Sequence, residues 1–281
     1  MNPDELAHIA NEIRQDVIRM IAAAGSGHPG GSLGMADIFA ALYLAPVLKH
    51  NPKRPNDPTR DRLFLSNGHI CPVWYATLAH AGYFPRRELL TLRQLGSRLQ
   101  GHPHRGSLPG VEHPSGPLGQ GIGQSVGCAL AAQMDGSNFR VYCVTSDGEH
   151  DEGATWEAIM LAAKYKLANL TVIVDRNYIQ ISGNTEDVMP LDPLRAKYEA
   201  FNWNVVEIDG HDTPSFIAAC ERARETTDRP TAIIARTTPG KGVDFMEGKY
   251  EWHGRAPNAG EAAMALAQLR TLGGRIGSEH E

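Results

Sequence analysis

Four acidic residues stand where an apolar run gives way to a helical pattern. The stretch TSDGEHDEG, which follows FRVYCV and precedes ATWEAIMLAAKYKL, contains Asp147, Glu149, Asp151 and Glu152. Like charges in such close sequence repel one another, so a positive charge is needed nearby. Carboxylate oxygens are ligands that Mg²⁺ and Ca²⁺ prefer, and binding of a divalent cation is therefore the chemistry that this stretch suggests.

A second polar side chain, Asn177, follows the next predicted strand. The 30 positions from Asp147 to Asn177 hold one helix and one strand, which matches one βαβ unit. Ligands of open parallel sheets bind beyond the carboxyl ends of the strands, so both side chains are expected at one edge. Their oxygens suit Mg²⁺, which completes its coordination with water and phosphates. The alternative stays open that Asp147 starts an ordinary turn and the other acids are helix-start charges.

Composition excludes several classes of protein. The chain has 281 residues and a net formal charge of -5, without a basic patch, which argues against nucleic-acid binding. The most apolar region, residues 161–174, is interrupted by two lysines and an asparagine, so no membrane span is expected. The charged N-terminus lacks the apolar core of a signal peptide. The cysteines form no CxxC pair and are predicted to be reduced thiols in a cytoplasmic protein, not a zinc site.

The second half of the chain alternates strands with helices. Apolar runs predict strands at residues 139–146, 170–175, 204–209 and 231–237, with helical patterns between them. Such alternation specifies right-handed crossovers, so the predicted fold class is α/β: a doubly wound parallel sheet with helices on both faces. We predict one domain over residues 1–272 and a flexible tail over 273–281.

The first half is predicted to add helices and one long loop. Helical patterns cover residues 5–24, 35–48, 73–81 and 86–95, and a short strand lies within 61–69. The glycine-rich GSGHPGGSLG is predicted as a connection between the first two helices. Residues 96–123 form an irregular stretch rich in glycine and proline, and a connection of that length inside a compact domain indicates a functional loop.

Several motifs of this chain together resemble one enzyme family. SDGEHDEG followed by DRNYIQISG is similar to the thiamine diphosphate motif, in which GDG is followed after about thirty residues by an asparagine. GSGHPGGSLGMADI, LSNGH, GHP with GPLGQGI, and WHG resemble loops of the transketolase family specifically. The resemblance covers residues 5–260 and implies the thiamine diphosphate-binding fold, in its diphosphate-binding domain.

A cofactor and a metal are implied by this resemblance. Asp147, Asn177 and the backbone carbonyl of Ile179 are implied to ligate Mg²⁺, for which Ca²⁺ or Mn²⁺ can substitute. The metal is implied to hold the diphosphate of thiamine diphosphate, with further contact from Gly148. Residues implied to lie beside the cofactor, where glycine permits close backbone approach, are Gly116, Pro117 and Leu118.

The resemblance also assigns roles to histidines. Those implied to line the cofactor and the sugar are His28, His69, His102 and His253. A histidine suits this role because it can donate or accept a proton near neutral pH, and ketol transfer generates and consumes alkoxides. His28 and His253 are the leading candidates for proton transfer, and His69 and His253 are also counted as cofactor-binding. Each histidine taken alone also fits a polar turn residue.

Some positions match the family pattern only in part. Glu152 matches a glutamate that in the family works across the subunit interface and belongs to the cofactor site, although it also fits a first-turn helix acid. Pro239 stands where some members have a lysine, which leaves Lys241 in PGKG as a candidate for phosphate contact. Ser146 replaces the first glycine of the motif.

The family pattern further implies a partner chain. In the family, the glutamate that activates the cofactor lies on a second, pyrimidine-binding domain, and no match to that domain follows residue 260. We therefore predict the N-terminal subunit of a split transketolase, which forms a heterotetramer with a separate C-terminal subunit. It is expected to transfer a two-carbon ketol unit from a ketose to an aldose, with sugar phosphates as substrates. Alternatives are a component of a 1-deoxyxylulose-5-phosphate synthase-like or 2-oxo acid dehydrogenase-like enzyme, and a non-catalytic scaffold.

Overall fold

The computed structural model describes residues 1–271. The helices are α1 Pro3–Ala24, α2 Pro29–Gly34, α3 Ala36–Leu44, α4 Cys71–His80, α5 Gln120–Met134, α6 Gly153–Lys164, α7 Thr185–Val188, α8 Leu194–Ala200, α9 Thr213–Glu225 and α10 Ala259–Thr271. The strands are β1 Arg62–Leu65, β2 Val141–Ser146, β3 Leu170–Arg176, β4 Ile179–Gln180, β5 Gly183–Asn184, β6 Asn204–Asp209 and β7 Thr231–Arg236. From β2 onward, at least one helix separates each strand of the five-stranded sheet from the next, as the apolar pattern predicts, and β4 and β5 form a separate hairpin.

Five of the strands form one parallel sheet, in the order β1-β2-β3-β7-β6. Ser146, at the end of β2, pairs with Asp175 of β3, and Asp175 pairs in turn with Ala235 of β7. Parallel register brings the carboxyl ends of neighbouring strands to one edge of the sheet. The turn that follows β2 therefore lies beside the turn that follows β3, as the crossover spacing predicts.

Apolar helices cover both faces of the sheet. Along β3, Ile173 packs into a cluster with residues of α1, α3, α4 and α9, whereas Val172 and Val174 pack into a second cluster with residues of α5, α6 and α8. Successive residues of a strand point to opposite faces, so a strand covered on both faces must be apolar throughout. The predicted α/β fold class, a doubly wound parallel sheet with helices on both faces, is confirmed.

The stretch GSGHPGGSLG contains a short helix, α2, where the sequence predicts only a connection. Pro29 is its first residue, a position that suits the fixed φ of proline. A Cβ atom on Gly31 would lie 2.9 Å from the Ile70 side chain, and one on Gly34 would lie 2.9 Å from the Thr238 carbonyl oxygen. Glycine lowers helix propensity, which hid α2 from the sequence pattern, but it also permits the close packing that stabilises α2 here.

Two predicted helices are shorter than expected. The pattern over residues 86–95 corresponds to a 3-10 turn, Arg86–Thr91. Arg93 has a φ of 59°, and a right-handed helix cannot continue through that region. The helix predicted over residues 35–48 ends at Leu44, because Ala45 is extended.

Two predictions about the extent of the domain have different outcomes. The division into one domain over residues 1–272 stays a prediction, and the predicted flexible tail, residues 273–281, lies outside the described residues. Within residues 1–271, none of the helices combines the length and the apolar character that crossing a bilayer requires.

A buried histidine links the long loop to the sheet. Nε2 of His113 accepts a hydrogen bond from the Leu65 N–H at 2.7 Å, and its Nδ1 donates to the Pro114 carbonyl oxygen at 2.9 Å. The ring is stacked between Phe64 and Trp74. Burial lowers the pKa of His113 below its ordinary value. The neutral imidazole with its proton on Nδ1 is therefore the form that fits, because protonation of Nε2 would remove the acceptor for Leu65.

We expect His113 to make the protein less stable as the pH falls below about 6.5. In that range the unfolded chain takes up a proton on this residue before the folded chain does, so folding stability is complete above the unfolded pKa and declines below it. The slope from one such group reaches at most about 1.4 kcal/mol per pH unit. Thermal unfolding of wild type and His113→Gln between pH 8 and pH 5 measures this difference.

The melting temperature of His113→Gln should fall less steeply with decreasing pH than that of wild type. His104→Gln, at an exposed position of the same loop, is the matched control and should give a curve parallel to that of wild type. Parallel curves for wild type and His113→Gln would contradict the prediction.

Candidate active site

A pocket opens at the carboxyl edge of the sheet, where the turn after β2 meets the hairpin β4–β5 and several glycine-containing loops. Its volume is about 310 Å³. The residues that line it are His28, Gly31, His69, His102, Gly116, Leu118, Ser146, Gly148, Asn177, Ile179, Gln180, Ile181, Ser182 and His253. Most of the site residues predicted from the sequence therefore share one pocket.

The four predicted histidines form a cluster in this pocket. The ring centroid of His28 lies 5.1 Å from that of His69, 5.6 Å from that of His253 and 6.2 Å from that of His102. The rings of His69 and His253 are 5.0 Å apart. Nδ1 of His28 is buried and has no hydrogen-bond partner among the described residues. A ligand hydroxyl in the pocket can supply that missing partner.

Burial and mutual proximity keep these histidines neutral near pH 7. Burial lowers the pKa of His28 to about 4, and the positive charges of His253, Arg93 and His102 oppose its protonation further. Burial likewise holds the pKa of His69 well below its ordinary value and lowers the pKa of His102 and of His253. A neutral imidazole has one donor and one acceptor nitrogen, so the cluster is equipped to exchange protons with hydroxyl groups.

The acidic turn lies next to the turn that contains Asn177. The Asp147 carboxylate is fully buried; its Oδ2 accepts a hydrogen bond from the Tyr178 N–H at 2.7 Å and its Oδ1 from the Gly148 N–H at 2.8 Å. Tyr178 has a φ of 62°, a left-handed conformation that is uncommon outside glycine and typical of functional turns. Asn177 Oδ1 accepts from the Ile179 N–H at 3.1 Å. The three residues predicted to ligate a metal are therefore neighbours.

A buried arginine supplies positive charge beside the acidic turn. The Arg176 side chain is only 2% exposed, and its guanidinium lies 3.2 Å from Asp147, 2.6 Å from Glu186 and 3.2 Å from Asp192. It also lies 4.0 Å from the ring centroid of Tyr178. A planar guanidinium suits this combination of ion pairs and stacking. The sequence analysis did not identify Arg176, because nothing in the stretch DRN (residues 175–177) indicates that its arginine is buried.

The oxygen donors at this corner fit a hard divalent cation. Burial raises the pKa of Asp147 to about 6, although Arg176 lowers it, and burial together with the nearby Asp147 raises the pKa of Asp175 to about 7. A cation at this corner would favour the ionised form of both carboxyl groups. A carboxylate, the Asn177 amide oxygen and the Ile179 carbonyl form the kind of donor set that Mg²⁺ accepts. Within residues 1–271 no group of three or more histidine, cysteine, aspartate and glutamate side chains is arranged to hold a metal. A metal here thus depends on amide and backbone oxygens and on oxygens of a ligand.

Two glycines shape the pocket wall. A Cβ atom on Gly116 would meet only the His102 ring, at 3.9 Å, so the space beside this glycine is open to a ligand. A Cβ atom on Gly148 would lie 2.7 Å from the side-chain oxygen of Gln180, the end of a flexible side chain that would have to shift. A ligand can therefore approach the backbone closely at Gly116.

Several predicted site residues do not line the pocket. Pro117 and Glu152 are exposed, and Lys241 is half-buried and is not among the lining residues. Asp147 is buried and does not line the pocket, but its neighbours Ser146 and Gly148 do. Pro117 and Glu152 were placed near the cofactor by motif alone, and a motif does not report which way a side chain points.

The four acids of the stretch TSDGEHDEG separate into two groups. Asp147 and Glu149 are fully buried, whereas Asp151 and Glu152 are exposed before the first residues of α6. Interpretation as helix-start charges therefore fits Asp151 and Glu152, which lie where the helix dipole favours negative charge. For Glu149 that interpretation is wrong, because its carboxylate points into the protein.

The hairpin β4–β5 contributes pocket residues that the sequence interpretation did not assign. These residues are Gln180, Ile181 and Ser182. Ile181 is 75% exposed, and an exposed apolar side chain at the edge of a pocket can contact an apolar part of a ligand. The available signal was the alternation of apolar and polar residues in YIQIS, which follows Asn177.

Comparison with known protein families identifies the family to which this chain belongs. The family model described as transketolase, thiamine diphosphate binding domain, matches residues 6–273. The chain belongs to the transketolase family. Since the match covers nearly the whole chain, the pocket and its loops can be compared directly with those of transketolases.

Two relatives are similar in length to this transketolase-family chain, since the match covers nearly all of each. A 6-deoxy-6-sulfo-D-fructose transketolase subunit of Clostridium sp. (strain MSTE9) is 41% identical over 269 residues, which cover 96% of this chain and 98% of the relative. An apulose-4-phosphate transketolase subunit of Actinobacillus succinogenes is 40% identical over 276 residues, which cover 96% and 99%.

Solved transketolases share the fold but are longer. The transketolase from Campylobacter jejuni has a TM-score of 0.89 and 37% identity, and the match covers 96% of this chain and 43% of that one. The transketolase from Leishmania mexicana has a TM-score of 0.88 and 35% identity, with 96% and 41% covered. The chain thus spans about two fifths of the length of these solved transketolases.

Membership in the transketolase family confirms several predictions. The chain has a thiamine diphosphate-binding domain and is a transketolase subunit of the N-terminal type, and hence part of a transferase. These relatives carry transketolase names, which favours this enzyme class over the 1-deoxyxylulose-5-phosphate synthase-like and 2-oxo acid dehydrogenase-like alternatives.

Proposed function

We propose that the pocket binds thiamine diphosphate together with Mg²⁺ and serves a two-carbon ketol transfer from a ketose to an aldose. The observation that carries this proposal is the convergence, in one pocket, of the histidine cluster and the buried acidic turn. A diphosphate needs a cation and backbone contacts, and a sugar needs groups that exchange protons with its hydroxyls. The pocket offers oxygen ligands for a cation, glycines that expose the backbone, and histidines that can exchange protons.

Asp147, Asn177 and the carbonyl of Ile179 would hold the metal. Their oxygens are hard donors, and Mg²⁺ fills its remaining positions with water and the oxygens of a diphosphate. Ca²⁺ or Mn²⁺ can take the same place. Gly148 permits the diphosphate to approach the backbone at the end of β2. In this proposal Arg176, which does not line the pocket, orients Asp147 by donating a hydrogen bond to its Oδ2.

The remaining pocket residues act on the substrate and on the cofactor ring. When bound, thiamine diphosphate supplies the nucleophilic carbon and the electron sink that cleavage of a carbon–carbon bond in a ketose requires. His28 and His253 accept and return protons at sugar hydroxyls, because both are neutral near pH 7. His69 and His102 donate hydrogen bonds to oxygens of the sugar or cofactor. Gly116 and Leu118, which line the pocket, would lie beside the ring, and Pro117 between them is exposed.

A partner chain is part of the proposal. Relatives of similar length are named as subunits, which supports a separate C-terminal chain with the pyrimidine-binding domain. We infer that residues 1–272 form one domain that pairs with this chain in a heterotetramer of two copies each. Glu152 is exposed and close to Gly119 at the start of α5, so it is accessible to a partner. The four free cysteines fit a cytoplasmic location.

Anionic ketoses are the proposed donors. The names of the relatives refer to a sulfonated fructose and to apulose-4-phosphate, and both contain an anionic group. Pentose phosphates are the default members of this class. Since residues that line the pocket are mostly histidine, glycine and apolar residues, we assign recognition of the distal phosphate or sulfonate largely to the partner chain.

We expect the purified chain to have no transketolase activity alone and to gain it with its pyrimidine-domain partner. The measurement is product formation from a panel of ketose phosphates and a ketose sulfonate with an aldose phosphate acceptor, in the presence of thiamine diphosphate and Mg²⁺. Assays with pyruvate as donor test the alternative enzyme classes. Turnover by the chain without partner would contradict the split-site proposal, and cofactor binding by the pair without turnover on any donor would favour the scaffold.

A further inference from the structure

Glu149 is a buried carboxylate that belongs neither to the proposed metal ligands nor to the histidine cluster. Its side chain is 0% exposed, and no arginine, lysine or histidine of residues 1–271 forms an ion pair with it. A buried, ionisable group without an ion pair costs stability unless hydrogen bonds compensate it. Burial raises the pKa of Glu149 to about 7, while hydrogen bonds from three donors lower it. Such a costly group often marks a functional position.

The three donors come from three different segments of the pocket wall. Oε1 accepts from the Ser66 hydroxyl and, at 2.6 Å, from the Gly119 N–H. Oε2 accepts from the Ser146 N–H at 3.3 Å. Ser66 lies three positions before the pocket residue His69, and Gly119 directly follows the pocket residue Leu118. One carboxylate thus connects the loop after β1, the GPLGQG turn and the end of β2.

Further contacts reinforce this connection. The Ser66 hydroxyl accepts a hydrogen bond from the Ile122 N–H of α5 at 3.1 Å, and the Ser66 carbonyl accepts one from the Ser115 hydroxyl at 3.1 Å. A Cβ atom on Gly121 would lie 2.5 Å from the Ser66 Cα atom. The loop after β1 and the GPLGQG turn are therefore in direct contact, and both donate hydrogen bonds to Glu149. We expect a change at Glu149 to affect the position of both.

We propose that Glu149, together with Ser66, is a positioning residue that holds the His69 loop and the Gly116–Leu118 turn in the arrangement that cofactor binding requires. The inference rests on the proposed function, since it assigns this pair to the thiamine diphosphate site. Glu149 does not line the pocket and acts through Ser66 and Gly119. A displacement of the pocket groups by about 1 Å is enough to lower the rate on the order of 100-fold.

The test uses Glu149→Gln, which keeps the shape of the side chain. A glutamine has one acceptor oxygen, so its amino group must face a donor, either the Gly119 and Ser66 groups or the Ser146 N–H. We expect the Kd for thiamine diphosphate, titrated calorimetrically with Mg²⁺ into the full chain assembled with its partner, to rise about 10- to 100-fold. The cofactor-free variant should remain folded at the temperature of the titration, which its thermal unfolding curve checks.

The controls separate positioning from folding. Glu157→Gln makes the same chemical change on the exposed face of α6 and should leave the Kd unchanged. Ser66→Ala removes the other member of the pair, and the double variant should lose no more affinity than Glu149→Gln alone. If Glu149→Gln fails to fold, Ser66→Ala alone must still raise the Kd by at least about fivefold, or the inference is wrong.

The outcomes also separate this inference from the proposed function. Wild-type complex that does not bind thiamine diphosphate at all would overturn the proposed function. Wild-type complex that binds it, with a Glu149→Gln Kd close to that of wild type, would overturn only the role of Glu149. A variant whose affinity and melting temperature fall together, and whose affinity is restored at lower temperature, would show a merely structural role and overturn the inference.

Discussion

Asp147→Asn is expected to abolish Mg²⁺-dependent binding of thiamine diphosphate, with a rise in the cofactor Kd of more than about 100-fold, since even residues one step removed from a metal contribute 10- to 100-fold. The reason is twofold. The amide has no charge to offer Mg²⁺, and it has one acceptor oxygen for three donors. Those donors are the N–H groups of Gly148 and Tyr178 and the Arg176 guanidinium. The measurement is calorimetric titration of the full chain with its partner.

The matched control for this variant is Asp151→Asn. Asp151 lies in the same acidic stretch but is exposed, so its change of charge should leave the Kd within about twofold, as expected for a screened surface charge. Folding should survive in Asp147→Asn, because Arg176 keeps its ion pairs with Glu186 and Asp192. Equal cofactor affinity in Asp147→Asn and Asp151→Asn would contradict the proposed metal site.

His28→Asn is expected to lower kcat/KM by about 100- to 10,000-fold, the usual contribution of a positioned acid or base. His28 is at the centre of the histidine cluster, and its Nδ1 is buried without a partner among the described residues. Asparagine retains hydrogen-bonding capacity but cannot take up a proton. The Kd for thiamine diphosphate should change little, because the metal ligands are on other loops. The measurement is steady-state kinetics of the assembled complex.

His104→Asn is the control for this second prediction. His104 lies two positions after the pocket residue His102 and is exposed, so kcat/KM should stay at the wild-type value. The pH dependence adds a further check. Since the pKa of His28 is about 4, a His28 that accepts protons stays available throughout the neutral range of pH. An unchanged kcat/KM in His28→Asn would show that His28 takes no part in the proposed proton transfer.

Spacing in the sequence was sufficient to bring the main site residues together. The interval between Asp147 and Asn177 predicts one βαβ unit, and in the structure the Asp147 carboxylate accepts the hydrogen bond of Tyr178, next to Asn177. This prediction succeeds because a parallel crossover has a narrow range of lengths and always returns to the same edge of the sheet. Local periodicity predicted the strands for a similar reason: it depends on neighbours in sequence.

Partners of buried charges could not be predicted. Glu149 fits a helix-start acid in the sequence, yet its carboxylate bonds to Ser66, which is 83 positions away. Arg176 fits a surface charge beside a turn, yet it is buried against Asp147 and Tyr178. Whether a charged side chain is buried depends on which distant segments pack around it, and a single sequence does not encode that locally.

The sequence alone determined the α/β class, the strands of the main sheet with the helices between them from β2 onward, and the set of glycine and histidine motifs that point to a thiamine diphosphate enzyme. These features depend on spacing and residue type along the chain. Only the tertiary structure decided that the four histidines form one neutral cluster, that two of the four acids are buried, and that Arg176 and Ser66 are their partners. Those properties arise from desolvation and from hydrogen bonds between distant segments, which exist only after the chain has folded.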